Sequence, residues 1–425
     1  MAAEPSVGGH RLDGSRAPAI VAALAVTQTV GYGTLYYAFA VFLVPLAADL
    51  NASTTAITGS FTANVLASAA LAIPIGRWLD RHGGRALMTA GSVGGAVMLV
   101  AWSQVDSLWQ LYAVQLGIGL ASAACLYEAV FVVIIAWHSA QRRSTALLAL
   151  TVVAGFASTI FLPLTGWLVE HHGWRTTLLI LATIQAVLTI PLHAMVIRAA
   201  PSAHHAQPDA TAHRQPERLK AVLTDRGFWL LTVSFTAHTA AIAAAGVLLV
   251  AALINWGHSA AFAATTAGLF GVLSVTGRLV TTGLQRRYRT TSVVATIFML
   301  QGVSAAALAI VGRDAVAAVI AVIGFGLGFG VGSIAKPFLL AERYDTRRYA
   351  TIAGILVVPM TIAKATAPLA AAALHTINDG YGAVFLAVAG ACAIASTALA
   401  SVPSTTRDRT TRRSKELRDT ERGSE

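Results

Sequence analysis

Apolar residues in this chain run on for twenty or more positions at a time, then give way to short polar stretches. A helix crossing hydrocarbon needs about 20 such residues and tolerates Gly and Pro among them. The pattern therefore predicts spans over 19–47, 55–76, 86–103, 108–137, 145–168 and 176–198. A second set follows over 227–254, 260–280, 291–311, 314–340, 350–374 and 381–402. The expected fold class is an all-α membrane protein, with twelve transmembrane helices in two pseudo-symmetric six-helix bundles. Its expected parts are a tail (1–18), a bundle (19–198), a linker (199–226), a second bundle (227–402) and a disordered tail (403–425).

Composition narrows the partners. The 425 residues are 56% hydrophobic and 12% charged, with mean hydropathy +0.67. Soluble domains carry about 25% charged residues, so the lipid bilayer is the expected solvent here. A formal net charge of +11 suggests nucleic acid at first sight, but the positions of the bases argue against that partner. They cluster in alternate loops: Arg77, Arg81 and Arg85; Arg142 and Arg143; Arg214 to Arg226; Arg286 to Arg289; Arg343 to Arg348. The opposite loops hold Arg175 and Arg313. By the positive-inside rule the first set and both termini are cytoplasmic, as expected for a bacterial inner-membrane protein. Residues 1–17 are polar, and the apolar run after them is too long for a cleavable signal, so the first span is expected to stay in place. Cys125 and Cys392 fall inside spans and offer neither metal spacing nor a disulfide. His204, His205 and His213 lie irregularly among Pro201, Pro208 and Pro216, which suits a solvated linker rather than a metal tract. No phosphate-cradling loop, metal cluster or Ser-His-Asp context is present, so no enzyme, metal or cofactor is expected.

Three charges lie deep in the spans: Glu128, Lys336 and Lys364. Each costs roughly 2.5–3.5 kcal/mol on insertion scales, so such residues face a cavity, a partner or a substrate path. Span four carries Gly117, Gly119, Glu128 and then Arg142–Arg143. Span ten carries Gly324 to Gly332 at alternate positions, Lys336 and then Arg347–Arg348, so Glu128 and Lys336 occupy equivalent places in a repeat. The alternating glycines are expected to let helices approach closely.

The stretch after span two reads Gly76-Arg-Trp-Leu-Asp80-Arg81-His-Gly83-Gly84-Arg85. It resembles the signature of the major facilitator superfamily, in the family's own location. The resemblance implies two bundles rocking about a midplane site, with Asp80 and Arg81 helping to lock the cytoplasmic side and Gly76, Gly83 and Arg85 completing the motif. The second half has Gly277, Arg278, Gly283, Arg286 and Arg287 but no acid, so an asymmetric lock is expected. Drug antiporters of the superfamily carry an arginine in span four where Ala113 stands here, and Pro163-Leu-Thr-Gly166 lacks the glycine preceding their motif. Pro163 to Gly166 with Gly173-Trp174-Arg175 resembles bacterial members near the monocarboxylate and oxalate–formate carriers. Those carriers also use a basic residue in span eleven, where Lys364 lies.

Gln28, Tyr32 and Tyr36 are four apart and form one stripe on a regular helix, a candidate substrate lining. Tyr37 leaves that stripe and reads as an interfacial anchor. Asn64, with Ser60 and Ser68, is either lining or helix packing. Lys364 is too deep to snorkel to an interface, so a substrate carboxylate is its expected counter-charge. Lys336 precedes Pro337, which makes a flexible joint. Glu128 has two open roles, proton site or ion-pair partner of a lysine. His238, four residues after Ser234, is a second candidate for proton transfer or a satisfied structural group. The expected protein is a monomeric secondary transporter of a small organic anion, coupled to protons. Two alternatives remain, proton-driven efflux of drugs or secondary metabolites and a non-transporting sensor on a carrier fold.

Overall fold

The structure, a computed structural model, describes residues 10–137, 140–196, 222–285, 287–344 and 349–403. Among the described residues, ten helical stretches are long and apolar enough to cross a membrane. One of them, Thr145–Val196, contains two crossings. Its helix Ala157–Val196 has 40 residues, or ~60 Å of rise, twice the hydrocarbon thickness. The chain turns back at Gly173, where φ is 74° and ψ 164°. Thr54–His82, with 29 residues, supplies the remaining crossing. Twelve helices result among the described residues: α1 (10–49), α2 (Thr54–His82), α3 (Gly84–Trp102), α4 (108–137), α5 (140–172) and α6 (174–196) form one half. The other half is α7 (Arg226–Asn255), α8 (Ala260–Leu284), α9 (Thr290–Val311), α10 (315–343), α11 (Tyr349–Asn378) and α12 (Gly382–Ala400).

The signature stretch is helical where the sequence suggested a loop, because α2 continues to His82. Ser53 caps its start by accepting from the Ala56 N–H, and Arg81 and His82 in the last turn complement the helix dipole. Gly83, at φ 75°, ends it by donating to the Leu79 carbonyl.

Four helices are interrupted near mid-length. α1 widens into a π-turn over Gly33–Tyr37, and α4 breaks at Leu126 (φ −94°, ψ −160°). α5 breaks at 155–156 and α10 at 327–330. The breaks in α4 and α10 fall at corresponding positions of the two halves, a pattern that in transporters marks the binding site. The alternating glycines of α10 thus interrupt the helix as well as thinning it.

Where the core sits divides the molecule crosswise. At the end remote from the arginine-rich loops, a single apolar cluster joins Phe39, Phe42 and Phe61 to Leu248, Leu253 and Phe385 of the other bundle. At the basic end the cores are separate. Leu24, Leu79, Met88 and Leu150 pack within the first bundle, and Phe228, Phe298, Leu340 and Leu399 within the second. Hydrogen bonds between the halves mostly follow the same division, with the Arg278–Thr151 bond nearer the basic end as an exception. Thr55 meets Thr376 at 2.9 Å, Thr62 donates to the Ala365 carbonyl at 2.8 Å, and Thr159 donates to the Gly268 carbonyl at 2.7 Å. The bundles are fused at the far end and part toward the basic end.

Candidate functional site

A cavity of about 420 Å³ lies between the bundles, with walls from both. The first bundle contributes Tyr32, Tyr37, Tyr127 and Ser158. The second contributes His238, Ser274, Arg278, Ser333, Lys336 and Lys364. A larger hollow of about 920 Å³, by His82, Arg85 and Val93, lies on the outer flank of one bundle and leads nowhere between the two.

The π-turn decides which tyrosines face this cavity. The Ala38 N–H donates to the Gly33 carbonyl, a five-residue spacing. A residue five positions after Tyr32 therefore falls beneath it, and Tyr37 lines the cavity with Tyr32. The anchor reading of Tyr37 is corrected by this change of helical period. Tyr36 turns against Phe61, with ring centroids 5.2 Å apart, and its face lies 5.1 Å from the Lys364 ammonium of the opposite bundle. Gln28 is fully buried away from the cavity wall. The break in α4 frees the Cys125 carbonyl, because Ala129 bonds to Leu126 instead, and the Gln28 amide donates to it at 2.9 Å. Asn64 is likewise buried and donates to Gln115 Oε1 at 2.8 Å, joining α2 to α4.

His238 is buried on the cavity wall, stacked on Phe298 with centroids 3.9 Å apart. Gln301 Nε2 donates to the Phe325 carbonyl at 2.9 Å, so its Oε1 must accept from His238 Nε2 at 3.0 Å. That bond leaves Nδ1 as the acceptor, beside Gly332. The other buried histidine, His193, bonds to Ser92 and Thr27 within the first bundle.

The cations are disposed differently from one another. Lys336 is half-buried, and its ammonium has no hydrogen bond or ion pair among the described residues. Lys364 meets the Tyr36 face across the bundle boundary. Arg278, which the sequence suggested only as part of a weakened motif, is drawn into the wall. Its Nε donates to the Gly330 carbonyl at 3.2 Å and its Nη1 to the Thr151 carbonyl of the first bundle at 3.3 Å. Its Nη2 has no partner among the described residues. Among the described residues no acid lines the cavity.

Glu128 lies two positions beyond the α4 break, and Asp80 in the last turn of α2; the side chains of both fall outside the described residues. Arg81 and Arg85 are exposed at the basic end, and Gly76 has open space around it. A separate clamp closes the second bundle there. Arg343 pairs with Asp225 at 2.9 Å, Tyr344 donates to the same carboxylate at 2.6 Å, and the Gly227 N–H donates at 3.0 Å. Burial pushes the Asp225 carboxyl up, but these bonds outweigh it and hold the group down at about 2.

Two fused and parting bundles, helices broken at matched positions and a midplane cavity define a membrane carrier rather than an enzyme. The family model described as Major Facilitator Superfamily matches residues 25–358, and the chain belongs to that superfamily as a multi-pass secondary transporter of a small molecule. A curated relative, the uncharacterized MFS-type transporter YcxA of Bacillus subtilis, is 24% identical over 203 residues. That match spans 47% of this chain and about half (46%) of the relative. Among solved structures, a bacterial homolog of the human lysosomal transporter Spinster, inward-facing and unoccupied, superposes with TM-score 0.71 at 14% identity. That likeness covers 91% of this chain and 95% of the other. The nucleoside transporter NupG gives 0.71 at 13% identity, covering 90% of this chain and 98% of the other. At these identities the two structures speak for the fold alone.

Proposed function

We propose that this carrier moves a small organic anion, with a carboxylate as its charged group, and couples that movement to protons. The observation that carries the reading is the Lys336 ammonium, half-buried on the cavity wall without a partner among the described residues. A buried charge left unpaired costs several kcal/mol, and a bound carboxylate offsets that cost. Arg278 strengthens the reading, because a guanidinium with an unoccupied Nη2 matches carboxylate geometry. Lys364 is the third cation of the set, poised on Tyr36.

Glu128 and His238 are the proton sites in this reading, with His238 Nδ1 as the accepting atom. The arginine-rich loops support a cytoplasmic basic end in a bacterial inner membrane, with both termini inside. On that orientation the cavity opens inward, and Asp80 and Arg81 belong to the lock that closes it.

Proteoliposome uptake of carboxylates under an imposed pH gradient tests the proposal, with Lys336→Gln, Lys364→Ala and Glu128→Gln variants. The lysine variants are expected to lose carboxylate transport, and Glu128→Gln to lose its dependence on the gradient. Full carboxylate transport by both lysine variants would sink the anion reading. Export of a cationic compound that needs Glu128 alone would replace it with drug efflux.

A further inference from the structure

We infer that the substrate is an aromatic carboxylate, held with its ring between two aromatic walls and its charge on the second bundle. This rests on the anion reading above and extends it to the uncharged part of the molecule.

Both walls of the cavity carry rings, and they come from opposite bundles. On one side Tyr32 and Tyr127 pack with centroids 4.6 Å apart, and Tyr37 lies 6.4 Å from Tyr32. On the other, Phe270 and Phe329 stack at 4.8 Å with an 18° interplanar angle. All five rings line the cavity. Exposed ring faces and edges favour offset or edge-to-face contact with a further ring over contact with a saturated chain.

Size argues the same way. About 420 Å³ falls in the range of pockets that enclose drug-sized ligands, roughly 300–1,000 Å³. An acid of two or three carbons would leave most of that space wet, and water screens the attraction between its carboxylate and the cations. A ring fills the space and dries the charges.

Polarity divides the cavity, too. Arg278, Lys336 and Lys364 all belong to the second bundle, whereas the first offers tyrosines and Ser158. A carboxylate drawn to the second bundle leaves its ring against Tyr32 and Tyr127. A neutral aromatic compound would leave Lys336 without a counter-charge, and an aromatic cation would meet three like charges.

The test is a binding panel on the purified full-length carrier, read by isothermal titration and by thermal shift. The probes are phenylacetate, cyclohexylacetate, acetate and phenylacetamide. Two ring contacts at ordinary strength predict phenylacetate binding about tenfold tighter than cyclohexylacetate. Acetate should bind more weakly still, and phenylacetamide not measurably. Equal affinity for phenylacetate and cyclohexylacetate, or tighter binding of acetate, would overturn the aromatic inference and leave the anion reading standing. Phenylacetamide binding as well as phenylacetate would overturn the anion reading. If no carboxylate binds a cooperatively melting protein, both fall. Tyr127→Leu and Phe329→Leu should each narrow the preference for phenylacetate over cyclohexylacetate; an unchanged preference in both variants would also overturn the inference.

Discussion

The same Gly-Arg step occurs in both halves, near the basic ends of α2 and α8, and the two arginines go opposite ways. Gly76 has nothing within 4 Å of the place where a side chain would begin, and Arg77 is exposed. Gly277 is packed onto the Leu327 carbonyl so closely that a Cβ there would overlap it. That approach of α8 to the break in α10 carries Arg278 inward, where it bonds both bundles. One step stays a surface charge, as topology requires. Its repeat becomes part of the cavity.

The largest way to break this contrast is to remove the inward arginine. Arg278→Ala should lower anion transport by about 100-fold, because loss of a buried charge partner costs ~2–5 kcal/mol. Arg77→Ala should change it less than twofold, and uptake in proteoliposomes compares the two. Arg278→Lys should recover little, since an ammonium lacks the planar fork.

Packing comes next. Gly277→Ala should destabilise by ~1–3 kcal/mol as overpacking pushes α8 from α10, while Gly76→Ala should be close to neutral. Thermal unfolding in detergent measures both.

A third prediction concerns the clamp on the second bundle. The Asp225 carboxyl is depressed to about 2 from 3.8, so its stabilisation is complete above about pH 4 and is lost as pH falls toward 2. Asp225→Asn should remove that pH dependence and cost about 1–3 kcal/mol at neutral pH, read from melting curves. The smallest effect is at the π-turn. Tyr37→Phe should raise KM a fewfold, and Tyr36→Phe should do less, because its ring face rather than its hydroxyl meets Lys364.

The crossings were legible because twenty apolar residues in a row admit few other structures, and their predicted ends fall within a few residues of the observed ones for most helices. The largest departures are α1, which begins nine residues before position 19, and α2, which runs six residues past position 76; both extensions contain charged residues that a hydropathy rule discounts. Lys336 and Lys364 could be picked out by charge alone, and both line the cavity. What escaped depended on tertiary contacts. Phe161 pressed on Gly33 accompanies the π-turn, and no four-residue stripe anticipates the shift from Tyr36 to Tyr37. Gln28 reads as lining because it is polar and on the tyrosine stripe, yet it satisfies a freed carbonyl, while Asn64, open between lining and helix packing in the sequence, bonds a neighbouring helix. Arg278 had a usable signal, the repeated Gly-Arg step, but its direction depends on how closely α8 meets α10.

The most direct measurement is phenylacetate affinity of the wild-type carrier and of Lys336→Gln, by isothermal titration, with melting curves recorded on both. A substrate carboxylate resting on this ammonium predicts a loss of about 30-fold or more with little change in stability. Equal affinity in the two proteins would contradict it.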